Sequence, residues 1–173
     1  VTAIELMPVM EFEGNDSWGY NASYFMALDK AYGTPNAFKK LIDACHQRGI
    51  AVILDIVVNH AFGQSSLAQM WYNGDKPANN NPYFNVTPKH DFNVGNDFNH
   101  ENNCTVTYFE AVLTHWLTEF KVDGFRFDLS KGLTQKNTLG NLNEWAKYDE
   151  SRIKILQNYA DTCWAINPSA ILI

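Results

Sequence analysis

The chain has 173 residues, a length at which one domain can bury a substantial core, and no shift in composition marks off a second independent one. With 46% hydrophobic and 18% charged residues it reads as globular, and no apolar run is long enough to span a bilayer as a helix, which argues against a membrane partner. A net charge of -6 argues against a nucleic-acid partner, whose phosphates demand clustered Lys and Arg, and leaves neutral or small ligands open.

In chain order, residues 2–9 (TAIELMPV) form a short apolar run that predicts a buried strand. A loop containing Gly, Asn and the string SWGYN follows. Residues 34–49 then read as an amphipathic helix, with Thr34 as N-cap, Pro35 at the first helical position and Gly49 at the C′ position. Phe38, Leu41, Ile42 and Cys45 supply its apolar face. Residues 50–60 (IAVILDIVVNH) are hydrophobic on both faces apart from Asp55 and the end, as expected of a parallel strand covered by helices.

Residues 61–103 show no period and are rich in Asn, Pro, Gly and Asp; an irregular segment this long is usually functional. Aromatic residues, 14% of the chain with five Trp and eight Tyr, gather in loop-like stretches such as WYNGDKPANNNPYFNV. Such loops suit flat, hydroxylated ligands, and they equally suit aromatic anchoring of a long loop. Phe109, Val112, Leu113, Trp116, Leu117 and Phe120 mark a strong helical stripe, and VDGFRFDLS predicts the third strand. An insertion-like stretch reaches to about 148, followed by a helix with Ile153, Leu156, Ala160 and Cys163 in period and a final strand, AILI. Cys45, Cys104 and Cys163 cannot all pair and lack metal-site spacing; Cys45 and Cys163 are read as helix core.

The order is β-α-β-loop-α-β-α-β, which implies right-handed βαβ units and a parallel sheet. Ligands of such sheets sit at the carboxyl ends of the strands, where Asn59, His60, Asp128 and Lys131 fall. No Gly-rich phosphate loop or nucleophile elbow is present. On the third strand, alternation puts Arg126, Asp128 and Ser130 on one face and Phe125, Phe127 and Leu129 on the other. A buried ion pair costs several kcal/mol per ion to desolvate, so this pair calls for a polar cavity or a function.

Four blocks, ELMPVMEFEGNDSWGYN at 5–21, DIVVNH at 55–60, GNDFNHEN at 95–102 and GFRFDLSKG at 124–132, together resemble the α-amylase family of glycoside hydrolases, family thirteen. The resemblance implies an eight-stranded (β/α) barrel of which this chain supplies about the second to fifth strands. Residues 1–60 would carry the second and third strands, 61–103 a loop-rich domain protruding after the third, and 104–173 the next helix up to the start of the fifth strand. It implies an α-glucan-active enzyme, hydrolase or transglycosidase, acting with retention on starch, glycogen or maltooligosaccharide. The block ELMPVMEF followed by WGYN looks closer to branching and debranching members than to simple amylases.

Carried over by motif, Asp128 matches the catalytic nucleophile and Arg126 the arginine that orients it. Tyr20 and His60 match residues that contact the sugar at the cleaved bond, Asp55 the structural carboxylate of its strand, and Lys131 a lysine toward the aglycone side. Asn59 and Asp97 match ligands of a structural calcium, an ion that demands oxygen donors. Gly132 departs from the histidine that many calcium-binding members have after the lysine, although its carbonyl remains available. Direct hydrogen bonding between the loops is the other reading of Asn59 and Asp97.

The resemblance places the family's acid/base glutamate just past Ile173, so the chain alone is expected to be inactive, and its unpaired edge strands to favour self-association; the start at Val1 without a Met or a signal-like segment places the natural N-terminus upstream. A catalytically silent, amylase-like glucan-binding or interaction domain is the alternative function.

Overall fold

The computed structural model describes residues 1–173. In chain order the elements are β1 (Ala3–Leu6), β2 (Met10–Phe12), β3 (Ala22–Leu28), α1 (Pro35–His46), β4 (Ala51–Val57), β5 (His60–Ala61), α2 (Ser66–Gln69), β6 (Tyr72–Asn73), β7 (Lys76–Pro77), β8 (Asn96–Asp97), α3 (Asn103–Glu119), β9 (Gly124–Asp128), α4 (Leu142–Ala146), α5 (Glu150–Ile166) and β10 (Ile171–Leu172). The framework is a parallel sheet in the order β1-β4-β9-β10, open at both edges, as the βαβ reading requires. The sheet does not close on itself into a barrel.

The centre of the sheet is β4, whose residues from Val52 to Val57 are all buried. Its β-branched side chains suit a pleated surface covered on both faces. Gly124 lets the last strand approach: a Cβ there would lie 1.8 Å from the Ile171 carbonyl oxygen, so no other residue fits without displacing β10.

α1 begins where the sequence places it. The Thr34 hydroxyl accepts from the Ala37 N–H at 3.2 Å and Pro35 opens the helix, a cap worth about 1 kcal/mol. The helix ends at His46, and Gly49, at φ +67°, turns the chain into β4 slightly beyond the expected C′ position. On α3 the whole predicted stripe is buried, and the Trp116 indole N–H donates to the Phe25 carbonyl at 2.8 Å.

Three local expectations need correction. The stretch read as loop after residue 9 holds the antiparallel hairpin β2–β3. Its alternation is masked because the outward positions Tyr24 and Met26 are apolar like the inward Phe25. On α5 the buried line is Arg152, Tyr159 and Cys163, whereas Ile153, Leu156 and Ala160 flank an open groove with Trp164. Ser130 leaves the face of Arg126 and Asp128, because β9 stops at Asp128 and Leu129 turns left-handed at φ +46°.

Residues 61–103 contain short elements: α2, the β6–β7 hairpin, and β8 paired with β5. Their apolar anchors, Ala61, Ala68, Phe84 and Phe98, join the same cluster as the sheet and helices. Phe98 stacks on Phe84 at 4.2 Å and meets Phe109 of α3 edge-on at 4.9 Å. The segment is thus anchored by aromatic packing over the end of β4.

His100 ties this region to the helices. Its Nε2–H donates to the Val58 carbonyl at 2.7 Å and its Nδ1 accepts from the Tyr159 hydroxyl at 2.7 Å. Accepting at Nδ1 requires the neutral ring, and burial lowers its pKa from 6.5 to about 4. Because the folded pKa lies below the unfolded one, the stabilisation is complete above about pH 6.5 and is lost as the pH falls toward 4. The melting temperature should fall through that window, and a His100→Gln variant should show a shallower fall; equal slopes in a calorimetric pH series would contradict this role.

Candidate active site

β4 and β9 lie side by side in parallel, with Asp55 in register with Arg126 and Val57 with Asp128. This register sets one guanidinium between two carboxylates. Arg126 Nη1 donates to Asp55 Oδ2 at 2.9 Å and to Asp128 Oδ1 at 2.5 Å. The Tyr20 hydroxyl donates to the same Asp55 Oδ2 at 2.8 Å. Asp55 is 3% exposed, whereas the Asp128 side chain keeps 27% of its surface open. Asp55 is therefore the buried anchor and Asp128 the accessible carboxylate.

Each member is held from behind. Tyr20 follows Gly19, at φ +92°, where a Cβ would come within 2.3 Å of the Pro8 carbonyl oxygen; the loop presses so close to the end of β1 that only glycine fits. His60 donates Nε2–H to the Tyr20 carbonyl at 2.8 Å and is 3% exposed. Leu129, directly after Asp128, holds a left-handed conformation that costs a non-glycine residue about 1–2 kcal/mol. That turn ends the strand at the carboxylate.

The electrostatics follow the geometry. Burial lifts the Asp55 carboxyl above the usual range, opposed by the Tyr20 hydrogen bond and the Arg126 charge. Burial, together with the Asp55 hydrogen bond and charge, pushes the Tyr20 phenol up to about 12, so it stays a proton donor at neutral pH. Burial opposes the Arg126 charge, yet the hydrogen bond to Asp128 and the two carboxylate charges outweigh it and hold its pKa above the ordinary value. Burial lowers the pKa of His60 and favours its neutral ring.

Lys131 is exposed and lies apart from the Arg126 cluster in its contacts: its Nζ sits 5.5 Å from the centre of the Trp145 ring. The loop carrying it is pinned by Arg152, only 7% exposed, which donates to the carbonyls of Lys131, Trp145 and Lys147. Asn59 and Asp97 come together with Gly132 and with His90, a residue the sequence did not single out. His90 Nε2 lies 3.2 Å from the Gly132 carbonyl oxygen and 3.6 Å from Asp97 Oδ1, while Asp97 Oδ2 accepts from Asn85 Nδ2 at 2.8 Å and Lys89 N at 3.2 Å. The Asn59 carboxamide is buried without a hydrogen-bond partner. Calcium takes six to eight oxygens. The protein oxygens gathered here are Asn59 Oδ1 and Asp97 Oδ1, both without a hydrogen-bond partner, and the Gly132 carbonyl; with the His90 imidazole against the last two, the set is short of the all-oxygen cage that the ion takes.

Removing Arg126 should expose how the buried charge is held. Arg126→Met is expected to cost about 2 kcal/mol, less than for a fully buried pair because the guanidinium is partly exposed. Adding Asp55→Asn should recover part of the loss by removing the unpaired charge. Urea unfolding of the single and double variants measures this, and a double variant that loses the full sum of both would contradict the coupling.

Comparison with known proteins gives this geometry a context. Residues 1–95 match the model of the α-amylase catalytic domain. A malto-oligosyltrehalose trehalohydrolase from Saccharolobus solfataricus is 32% identical over 97% of this chain, which covers 29% of that protein. A 1,4-α-glucan branching enzyme from Prochlorococcus marinus is 31% identical over 99% of this chain and 23% of its own length. A pullulanase from Anoxybacillus, solved with maltotetraose, superposes with a TM-score of 0.76 and 29% identity over 99% of this chain and 24% of its own. Eubacterium rectale Amy13B shares the fold, with a TM-score of 0.78 and 23% identity over 99% of this chain and 36% of its own. The chain spans under a third of the length of these two curated relatives. With half of its residues matched by the family model and its parallel sheet superposing on these structures, the chain belongs to the α-amylase family of glycoside hydrolases.

Proposed function

We propose that this chain supplies the nucleophile side of an active site that breaks α-glucosidic bonds with retention, acting on α-glucans or maltooligosaccharides. The observation that carries the reading is the arrangement of Arg126 between a buried Asp55 and an accessible Asp128 at the carboxyl ends of adjacent parallel strands. Of the similar proteins, one is named for malto-oligosyltrehalose, one for 1,4-α-glucan and one was solved with maltotetraose, which supports this substrate class.

In this mechanism an Asp128 carboxylate oxygen attacks the anomeric carbon, the glycosidic C–O bond breaks, and the leaving oxygen takes a proton from a second carboxyl group. Water or a sugar hydroxyl then attacks the same carbon and releases Asp128, while the second carboxylate takes back a proton. Arg126 orients the nucleophile, Tyr20 presents its ring to the sugar, and His60 positions Tyr20 through its carbonyl. Lys131 with Trp145 forms a rim on the aglycone side. β10 runs parallel to β9, with Leu172 opposite Phe125. Hydrolysis and transfer share this first half, so branching, debranching and simple amylase chemistry diverge only in the acceptor.

The test is Asp128→Asn in the protein that carries this chain. Turnover of maltooligosaccharide should fall by roughly 10⁴-fold or more, with binding changed only a few-fold. Time-resolved NMR of wild-type product should show the α-anomer first. Retained turnover in the variant, or a first-formed β-anomer, would remove Asp128 from the nucleophile role.

A further inference from the structure

The polar junction between the end of β4, β8 and the turn after β9 lies outside the chemistry just described, and His90 is fully buried within it. The ring has no exposed surface. Its Nε2 sits 3.2 Å from the Gly132 carbonyl oxygen, a group that can only accept, so Nε2 carries a hydrogen. A protonated ring nitrogen has no lone pair to offer a metal. Asp97 Oδ1 lies on the same nitrogen at 3.6 Å, too far for a hydrogen bond but close enough for its charge to face the N–H.

We infer that the place between Asp97 and the Gly132 carbonyl, where the family resemblance would seat a calcium ion, is filled by the Nε2–H of His90, and that this junction is held without a structural calcium. The inference does not depend on the catalytic reading. Three further observations support it. His90 cannot easily swing aside: its ring lies nearly parallel to Trp145, with centroids 5.9 Å apart, and the Trp145 carbonyl is fixed by buried Arg152. The second oxygen of Asp97 is occupied by Asn85 and the Lys89 N–H. Gly132 packs against Asn59, and a Cβ on it would stand 3.0 Å from Asn59 Nδ2, so a larger residue there would force this contact apart.

Calorimetric melting of the protein in EDTA and in millimolar calcium chloride tests the inference. The two melting temperatures should agree within about 1 °C, whereas calcium bound at a hundred times its Kd would raise the value by roughly 5–10 °C in a chain of this size and overturn it. Long-range ¹H–¹⁵N spectra of histidine-labelled protein should show His90 Nε2 protonated; a bare Nε2 would overturn it as well. His90→Gln, whose amide can place an N–H near the same oxygens, should melt closer to wild type than His90→Leu, which has the bulk but no donor. Equal melting of His90→Leu and wild type would show that the bond holds nothing. If His90→Leu does not fold, the calcium and tautomer measurements on the unmodified protein still decide.

Discussion

One guanidinium shared by two carboxylates governs this structure. Asp55 is almost fully buried and carries a charge that is expensive to desolvate, and Arg126 and Tyr20 both converge on its Oδ2. Well-packed apolar residues in place of the whole network would serve stability as well or better, so the network is better explained by what it presents than by what it stabilises. It presents Asp128, fixed by the same Arg126 and left open to solvent. The parallel register, the apolar β4 and the left-handed Leu129 all act to keep those three side chains in one small volume.

Around that cluster, buried histidines act as backbone clamps. His60 donates to the Tyr20 carbonyl, His90 to Gly132 and His100 to Val58, in each case through Nε2. The carbonyls belong to the loop between β2 and β3, the turn after β9 and the end of β4. Such irregular backbone has polar groups that must be satisfied when buried. A ring with one donor answers that need and fills space that a smaller donor would leave empty.

The parts legible in the sequence were those governed by local rules. Thr34 and Pro35 announced α1, the 3.6-residue stripe announced α3, and the apolar run around Asp55 announced β4. Arg126 and Asp128 were legible because charges two apart on a greasy strand have few purposes. The β2–β3 hairpin was hidden by apolar residues on its outward face, and the buried face of α5 by apolar residues on both sides. His90 and Arg152 left no signal because their partners are main-chain carbonyls, which every residue carries. Ser130 was misplaced because nothing in the string foretells that a leucine will turn left-handed.

The choice of clamps bears on the chemistry in front of them. Burial lowers the pKa of His60 and of His100, so both favour the neutral ring and add little positive charge behind the site. A divalent ion in the same wall would add two charges, screened weakly through a dry interior. The cation bonded to Asp128 is Arg126, in a direction set by the strand register. That side chain is in turn held in place by the buried Asp55. The burial of Asp55 thus has a consequence at the surface: it fixes the orientation of the group that faces Asp128.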